Sequence, residues 1–215
     1  MYGGTAIVKI AIPLALLVLS AGVGAQAQSS TELDRRVQAY LESRRGTWRD
    51  LNVPEVDGRT LHDLIVKNRH RHAVEIGTST GHSSIWIAWA LSKTGGKLVT
   101  IEIDPERDRT ALANFEAAGL SAYIDARLAD AHELVPKLEG PIDFVFSDAD
   151  KEWYANYLKA LWPKLAPGGC FTAHNVSRRM SGIPEFRQAL ERLPDAKTTI
   201  DRRSGAGLSI TCKAA

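Results

Sequence analysis

The stretch Ala-Val-Glu-Ile-Gly-Thr-Ser-Thr-Gly-His-Ser-Ser, residues 73–84, joins a short apolar run to a helical pattern through two glycines. It predicts a strand over 73–76, a turn from Gly77 to Gly81 and a helix over 83–91. Glycine allows positive φ and lets the backbone pass close to a ligand. The start of the helix offers free N–H groups and a partial positive charge to an anionic group. Taken alone, the pattern fits a purely structural turn equally well.

Beyond this stretch, strand-like runs alternate with helical patterns to the end of the chain. Strands are expected at 97–103, 122–128, 142–147, 170–174, 198–201 and 208–212, and helices at 105–118, 131–138, 151–165 and 184–193. The alternation predicts an α/β fold with a Rossmann-like, doubly wound, mainly parallel sheet of seven strands. The last strand follows its neighbour too closely for a crossover helix, so it should run antiparallel. Two earlier helices are expected, one opening at Ser30 or Thr31 and one over 57–68.

The first 27 residues differ from the rest. Residues 10–19 are almost wholly apolar, Lys9 precedes them, and Ala25-Gln26-Ala27 fits a cleavage site for a secretory signal. The expected organisation is therefore a signal peptide over 1–27 and a single domain over 28–215, exported to the periplasm or secreted. Cleavage would leave no stable membrane span, and the alternative is an uncleaved anchor over 10–23.

Composition narrows the expected partners. The net charge of +2 neither favours nor excludes a nucleic-acid partner. The chain has no basic block with interleaved aromatic residues, so no nucleic-acid partner is expected. An oxidising compartment would allow a disulfide between the two cysteines, Cys170 and Cys212, although two buried thiols remain an equal alternative.

Polar residues gather where successive predicted strands end. Glu102 ends the strand after the glycine turn, where a carboxylate can accept both hydroxyls of a ribose. Asp130-Ala131-His132 follows the next strand, and Asp148-Ala-Asp-Lys151 follows the one after that. In a parallel α/β sheet, these ends form the ligand-binding edge.

Together these segments resemble the class I S-adenosylmethionine-dependent O-methyltransferases, and within them the metal-assisted catechol and caffeoyl-CoA O-methyltransferase group. The resemblance covers about residue 50 to the C-terminus. It depends on four ordered segments: Val-Glu-Ile-Gly-Thr-Ser-Thr-Gly-His-Ser, Thr-Ile-Glu-Ile-Asp, Asp-Ala-Asp-Lys and the closing Gly-Ala-Gly-Leu-Ser-Ile-Thr. It implies S-adenosylmethionine as cofactor, a divalent metal, and a small hydroxylated substrate of phenolic or catechol type.

The resemblance also assigns roles by position. Glu75, Gly77 and Gly81 would shape the cofactor loop, Ser83 would hold the cofactor carboxylate, and Glu102 would bind the ribose. Ala131 would contact the adenine through its backbone, with Asp130 and His132 on either side. Asp148 would border the cofactor and bind the metal, and Lys151 would be the base that acts on the substrate hydroxyl.

One position departs from the family pattern. Family members complete the metal site with an Asp-Asn pair at the end of the next strand, and this chain has His174-Asn175 there. Imidazole in place of a carboxylate disfavours Mg²⁺ and favours a transition metal. Three interpretations stay open: His174 binds such a metal together with Asp148 and Asn175, acts as a base in a metal-free site, or is a hydrogen-bonding residue in a site without chemistry.

The expected reaction is direct transfer of a methyl group from the sulfonium to the substrate hydroxyl, with a metal and a nearby amine favouring loss of the hydroxyl proton. The competing hypothesis is an exported, non-catalytic nucleoside-binding protein on the same fold. The fold further implies that Cys170 and Cys212 face each other across antiparallel strands, which predicts a disulfide. The N-terminal helix could equally cover its own sheet or a partner subunit, so a homodimer is possible.

Overall fold

The computed structural model describes Met1 and residues 19–49, 51–177 and 179–215, with only the backbone for 19–29. A seven-stranded sheet forms its centre, in the order β3-β2-β1-β4-β5-β7-β6. The strands are β1 (His72–Ile76), β2 (Lys97–Glu102), β3 (Ile124–Leu128), β4 (Ile142–Ser147), β5 (Leu165–Ala173), β6 (Ala196–Asp201) and β7 (Leu208–Lys213). Strands β1 to β5 pair in parallel, and β7 runs antiparallel to both of its neighbours. The predicted sheet is confirmed.

Helices cover both faces of the sheet. They are α1 (Leu19–Ser43), α2 (Glu55–Asn68), α3 (His82–Thr94), α4 (Pro105–Ala118), α5 (Ala131–Leu134), α6 (Tyr154–Leu161) and α7 (Ile183–Glu191). Alternate residues of a strand point to opposite faces. Accordingly, Phe144 and Phe146 of β4 join a core with α1 to α4, while Val145 joins a second core with α6 and α7. Burial on both sides explains why the central strands are apolar almost throughout.

Local sequence signals account for the helix that follows β2. The Asp104 side chain accepts the backbone N–H groups of Glu106 and Arg107, and Pro105 occupies the first turn. These hydrogen bonds hold the pKa of the Asp104 carboxyl below its usual value. The left-handed Gly119 ends the helix at the predicted position.

The N-terminal helix is longer than predicted. The backbone is already helical at Leu19 rather than at Ser30 or Thr31, and Ala25-Gln26-Ala27 lies within the helix. The apolar run at 10–18 lies outside the described residues, so the signal peptide over 1–27 stays a prediction. Within the part of the chain that is described, no helix combines the length and apolar character that a membrane crossing requires.

The two cysteines form the disulfide implied by the resemblance. Cys170 of β5 and Cys212 of β7 are register partners and are bonded to each other. The bond ties the antiparallel β7 to the parallel part of the sheet.

Candidate functional site

The carboxyl ends of β1 and β4 lie side by side where the strand order reverses, which is the usual ligand-binding position of such a sheet. The glycine turn after β1 fits closely there. Gly77 has φ +95°, and a Cβ on it would come within 3.0 Å of the Ala149 backbone nitrogen. Gly81 has φ +94°, and a Cβ there would lie 2.5 Å from the Phe115 ring. Both positions therefore require glycine.

Glu75 is fully buried behind this turn. One carboxylate oxygen accepts hydrogen bonds from the Ser84 hydroxyl and from Thr100 Oγ1 at 2.6 Å, and the other has no partner among the described residues. Burial raises the pKa of Glu75 to about 7, with the negative charge of Asp148 adding to the rise and the hydroxyls of Ser83 and Ser84 opposing it. Ser83 is also buried, in the first turn of α3.

Glu102 anchors the glycine turn to the end of β2. Its Oε2 accepts the Ser79 N–H at 2.7 Å, and its Oε1 accepts the N–H groups of Ile103 and Asp104, each at 3.0 Å. These bonds fix the carboxylate at the rim of the cleft, where its remaining lone pairs can accept hydroxyl groups.

Two adjoining cavities follow this edge of the sheet. The smaller, of about 190 Å³, is lined by Ala131, His132 and Tyr157 among others. The larger, of about 630 Å³, is lined by Asp148, Lys151, His174 and Asn175 among others. Glu102 and Gly77 line both, so the cavities form one groove. Asp130 caps α5 by accepting the His132 N–H, and the His132 ring stacks on Trp153 at 3.8 Å between centroids.

Lys151 and Asp148 form a tight pair in the larger cavity. The Lys151 ammonium lies 2.7 Å from Asp148 Oδ1 and also donates to the backbone oxygens of Asp148 and Ala149. Their side chains are only 13% and 9% exposed. All three N–H bonds of the ammonium are therefore directed at acceptors that fix its position.

His174 lies between two carboxylates. Its Nδ1 is 3.1 Å from Asp148 Oδ2, and its Nε2 is 2.9 Å from Asp57 Oδ2. Burial would lower the pKa of His174, but the hydrogen bonds and charges of Asp148 and Asp57 outweigh burial and raise it to about 9. Asp57, in the first turn of α2, is completely buried and its Oδ1 has no partner among the described residues.

Sequence reasoning missed Asp57. An acidic residue at a helix start is ordinarily a favourable partner of the helix dipole, so its position alone gave no signal. It also missed Asn52, whose side chain bonds to Thr80 Oγ1 and to the His82 N–H. Asn52 thus ties the loop before α2 to the glycine turn. The His82 N–H at the start of α3, one of the N–H groups predicted to be free, donates to Asn52.

The side chains do not fit the predicted metal. Both ring nitrogens of His174 face carboxylates, and both oxygens of Asp148 are paired with His174 or Lys151. Among the described residues, Asn175 alone of the predicted ligands Asp148, His174 and Asn175 has no competing side-chain bond, and an amide alone does not make a divalent-cation site. The described residues contain no group of three or more His, Cys, Asp or Glu arranged to hold a metal ion.

The seven-stranded sheet with an antiparallel β7, the glycine turn and the acidic residue ending β2 define a class I S-adenosylmethionine-dependent methyltransferase fold. A family described as "Methyltransferase domain" matches residues 74–176. Within the class, the chain is similar to catechol and caffeoyl-CoA O-methyltransferases.

Individual relatives show how far this similarity extends. Over 132 residues the chain is 35% identical to a catechol O-methyltransferase of Niastella koreensis, a match covering 60% of this chain and 59% of that protein. Over 135 residues it is 34% identical to caffeoyl-CoA O-methyltransferase 2 of Eucalyptus globulus, covering 60% and 54%. The match thus spans less than two thirds of either relative. The O-methyltransferase from Bacillus cereus, solved in complex with SAH, superposes with a TM-score of 0.70 at 26% identity, over 85% of this chain and 90% of that one.

Proposed function

We propose that the protein transfers a methyl group from S-adenosylmethionine to a hydroxyl of a small phenolic or catechol-like substrate. The observation that carries the proposal is the continuous groove at the carboxyl ends of β1, β2 and β4, with Glu102 at its middle and the Asp148–Lys151 pair at one end. The catechol and caffeoyl-CoA O-methyltransferases among the relatives support the substrate class.

The cofactor is assigned to the groove by complementarity. Its adenine would lie in the smaller cavity beside Ala131 and His132, and its ribose hydroxyls would bond to Glu102. Its methionine end would extend past Gly77 towards Ser83 and Glu75. The sulfonium methyl would then point into the larger cavity.

In the reaction the substrate oxygen attacks the methyl carbon, the carbon–sulfur bond breaks, and its electron pair stays on sulfur to give S-adenosylhomocysteine. The hydroxyl proton passes to the Lys151 amine, which must first have lost one proton of its own. Asp148 holds that amine at 2.7 Å and so fixes it beside the substrate oxygen. The rest of the acceleration comes from alignment of sulfur, methyl carbon and oxygen.

We further infer that the domain acts outside the cytosol. The apolar residues 10–19 before Ala25-Gln26-Ala27 and the Cys170–Cys212 bond both favour this, because disulfides persist in oxidising compartments. Cell fractionation with an antibody to the full chain tests it, and protein confined to the cytosol with intact residues 1–27 would contradict it.

The activity is tested by incubating the full chain with S-adenosylmethionine and a panel of catechols, with products detected by mass spectrometry. We expect methylated catechol and S-adenosylhomocysteine in equal amounts. Glu102→Gln should weaken cofactor binding in calorimetry, whereas Glu106→Gln, in the first turn of α4, should not. Cofactor binding without methyl transfer to any substrate would favour the non-catalytic nucleoside-binding protein, and absence of binding would contradict both functions.

A further inference from the structure

The four charged side chains Asp57, His174, Asp148 and Lys151 form one buried row of alternating donors and acceptors. The distances along it are 2.9 Å from Asp57 to His174, 3.1 Å from His174 to Asp148, and 2.7 Å from Asp148 to Lys151. None of the four side chains is more than 13% exposed. The row runs from the start of α2, across the end of β5, to the segment after β4.

The hydrogen bonds of His174 indicate the protonation state of its ring. A neutral imidazole has one N–H to donate, whereas the ring here faces a carboxylate oxygen at each nitrogen. With both carboxylates acting as acceptors, both ring nitrogens donate, and the geometry fits the imidazolium form. Such a ring has no lone pair for a metal, and neither nitrogen is available as a base.

The positive charge of the His174 ring lies where it can act on the substrate hydroxyl. His174 lines the larger cavity with Lys151 and Asn175, where the substrate hydroxyl has to approach the methyl group. A divalent cation at such a place would favour the anionic form of the hydroxyl. A fixed imidazolium supplies positive charge at the same edge of the sheet without ligand exchange, and it needs no reorganisation during the reaction.

We propose that His174, held between Asp57 and Asp148, takes the place of the divalent cation, so that methyl transfer by this chain is metal-independent. Asp57 is then a positioning residue: it acts through His174, by fixing the ring and balancing its charge. This inference rests on the proposed function, because the charge matters only if a hydroxyl is methylated there.

Mn²⁺ binding is measured first, by electron paramagnetic resonance on the full chain, because this readout needs no turnover. We expect no saturable site in the wild type. His174→Asp would leave three carboxylates together and should bind one Mn²⁺ per chain, with a thermal midpoint that Mn²⁺ raises in this variant only. A saturable wild-type site that is lost in His174→Asn would overturn the proposal, even if His174→Asp failed to fold.

Methyl transfer is then measured with EDTA and with added Mn²⁺. The wild-type rate should stay the same within about twofold, His174→Asp should be active only with Mn²⁺, and His174→Asn should lose on the order of 10²–10³-fold in kcat whether or not metal is added. Loss of wild-type activity in EDTA with recovery in Mn²⁺ would overturn the proposal. A wild type that is inactive under every condition would instead refute the proposed function, while the Mn²⁺ measurement still decides whether the site takes a metal.

The role of Asp57 is tested by Asp57→Asn, with kcat and the S-adenosylmethionine dissociation constant measured separately on folded protein. We expect kcat to fall and the dissociation constant to stay unchanged, because Asp57 bonds to His174 and not to the groove where the cofactor is assigned. A purely structural Asp57 would lower stability and leave kcat of the folded fraction intact, which would overturn the positioning role.

Discussion

Glu75→Gln should change how stability depends on pH. Glu75 is completely buried, and burial raises its pKa from an ordinary 4.5 to about 7. A carboxyl whose folded-state pKa is raised contributes stability that is fully present below 4.5 and is lost as the pH rises through 7. Glutamine has nearly the same shape and keeps an oxygen that can accept from Ser84 and Thr100, but it does not titrate.

The size of the effect follows from the two pKa values. Between about pH 5 and about pH 8, proton linkage at Glu75 should lower the free energy of unfolding of the wild type by about 2–3 kcal/mol, and that of Glu75→Gln not at all. All other groups titrate in both proteins, so their contributions cancel in the difference. The contribution of His174, whose pKa is raised, is also the same in both proteins and cancels in the difference.

The assay is urea unfolding of both proteins in oxidised form, followed by tryptophan fluorescence at several pH values. The free-energy difference between variant and wild type should move in favour of the variant as the pH rises, with its midpoint near the Glu75 pKa. A difference that stays constant across this range, within the error of the extrapolation, would show that Glu75 is not the buried carboxyl described above.

Further consequences can be measured on the same protein. Lys151→Met should lower the methyl-transfer rate by about 10²-fold or more while leaving S-adenosylmethionine affinity unchanged; an unchanged rate would exclude Lys151 as the base. Breaking the Cys170–Cys212 bond, which closes a separation of 42 residues, should cost about 4 kcal/mol in the chain-entropy estimate, and equal urea midpoints for oxidised and reduced protein would contradict this. Gly77→Ala should cost about 1–3 kcal/mol more than Gly46→Ala, because both glycines have positive φ but only the first is crowded; equal losses would contradict the close fit of the turn.

The sheet could be predicted because its signals are local. Glycine and proline end the helices, and the apolar strands recur with a regular spacing, so strand positions such as β4 over 142–147 follow from short windows of sequence. The antiparallel β7 follows from a connection too short for a helix. The start of α1 was misjudged, because serine and threonine are good helix caps and the helix nevertheless continues through Ser30 and Thr31.

The site could be predicted only in part. The residues at strand ends, such as Glu102 and Asp148, come together because parallel strands end at one edge. The pairing of His174 with Asp57 could not be predicted from the sequence, because Asp57 lies 117 residues earlier and on a different element. Whether a histidine binds metal or bridges two carboxylates depends on that tertiary contact, and neither the spacing nor the residue types around His174 report it.

The central claim is that a sulfonium nucleoside occupies the groove along β1, β2 and β4. A crystal structure of the full chain soaked with S-adenosylhomocysteine tests it most directly. We predict ribose hydroxyls bonded to Glu102, adenine beside Ala131 and His132, and sulfur directed towards Lys151. An empty groove at saturating ligand, or a nucleoside bound elsewhere on the protein, would contradict it.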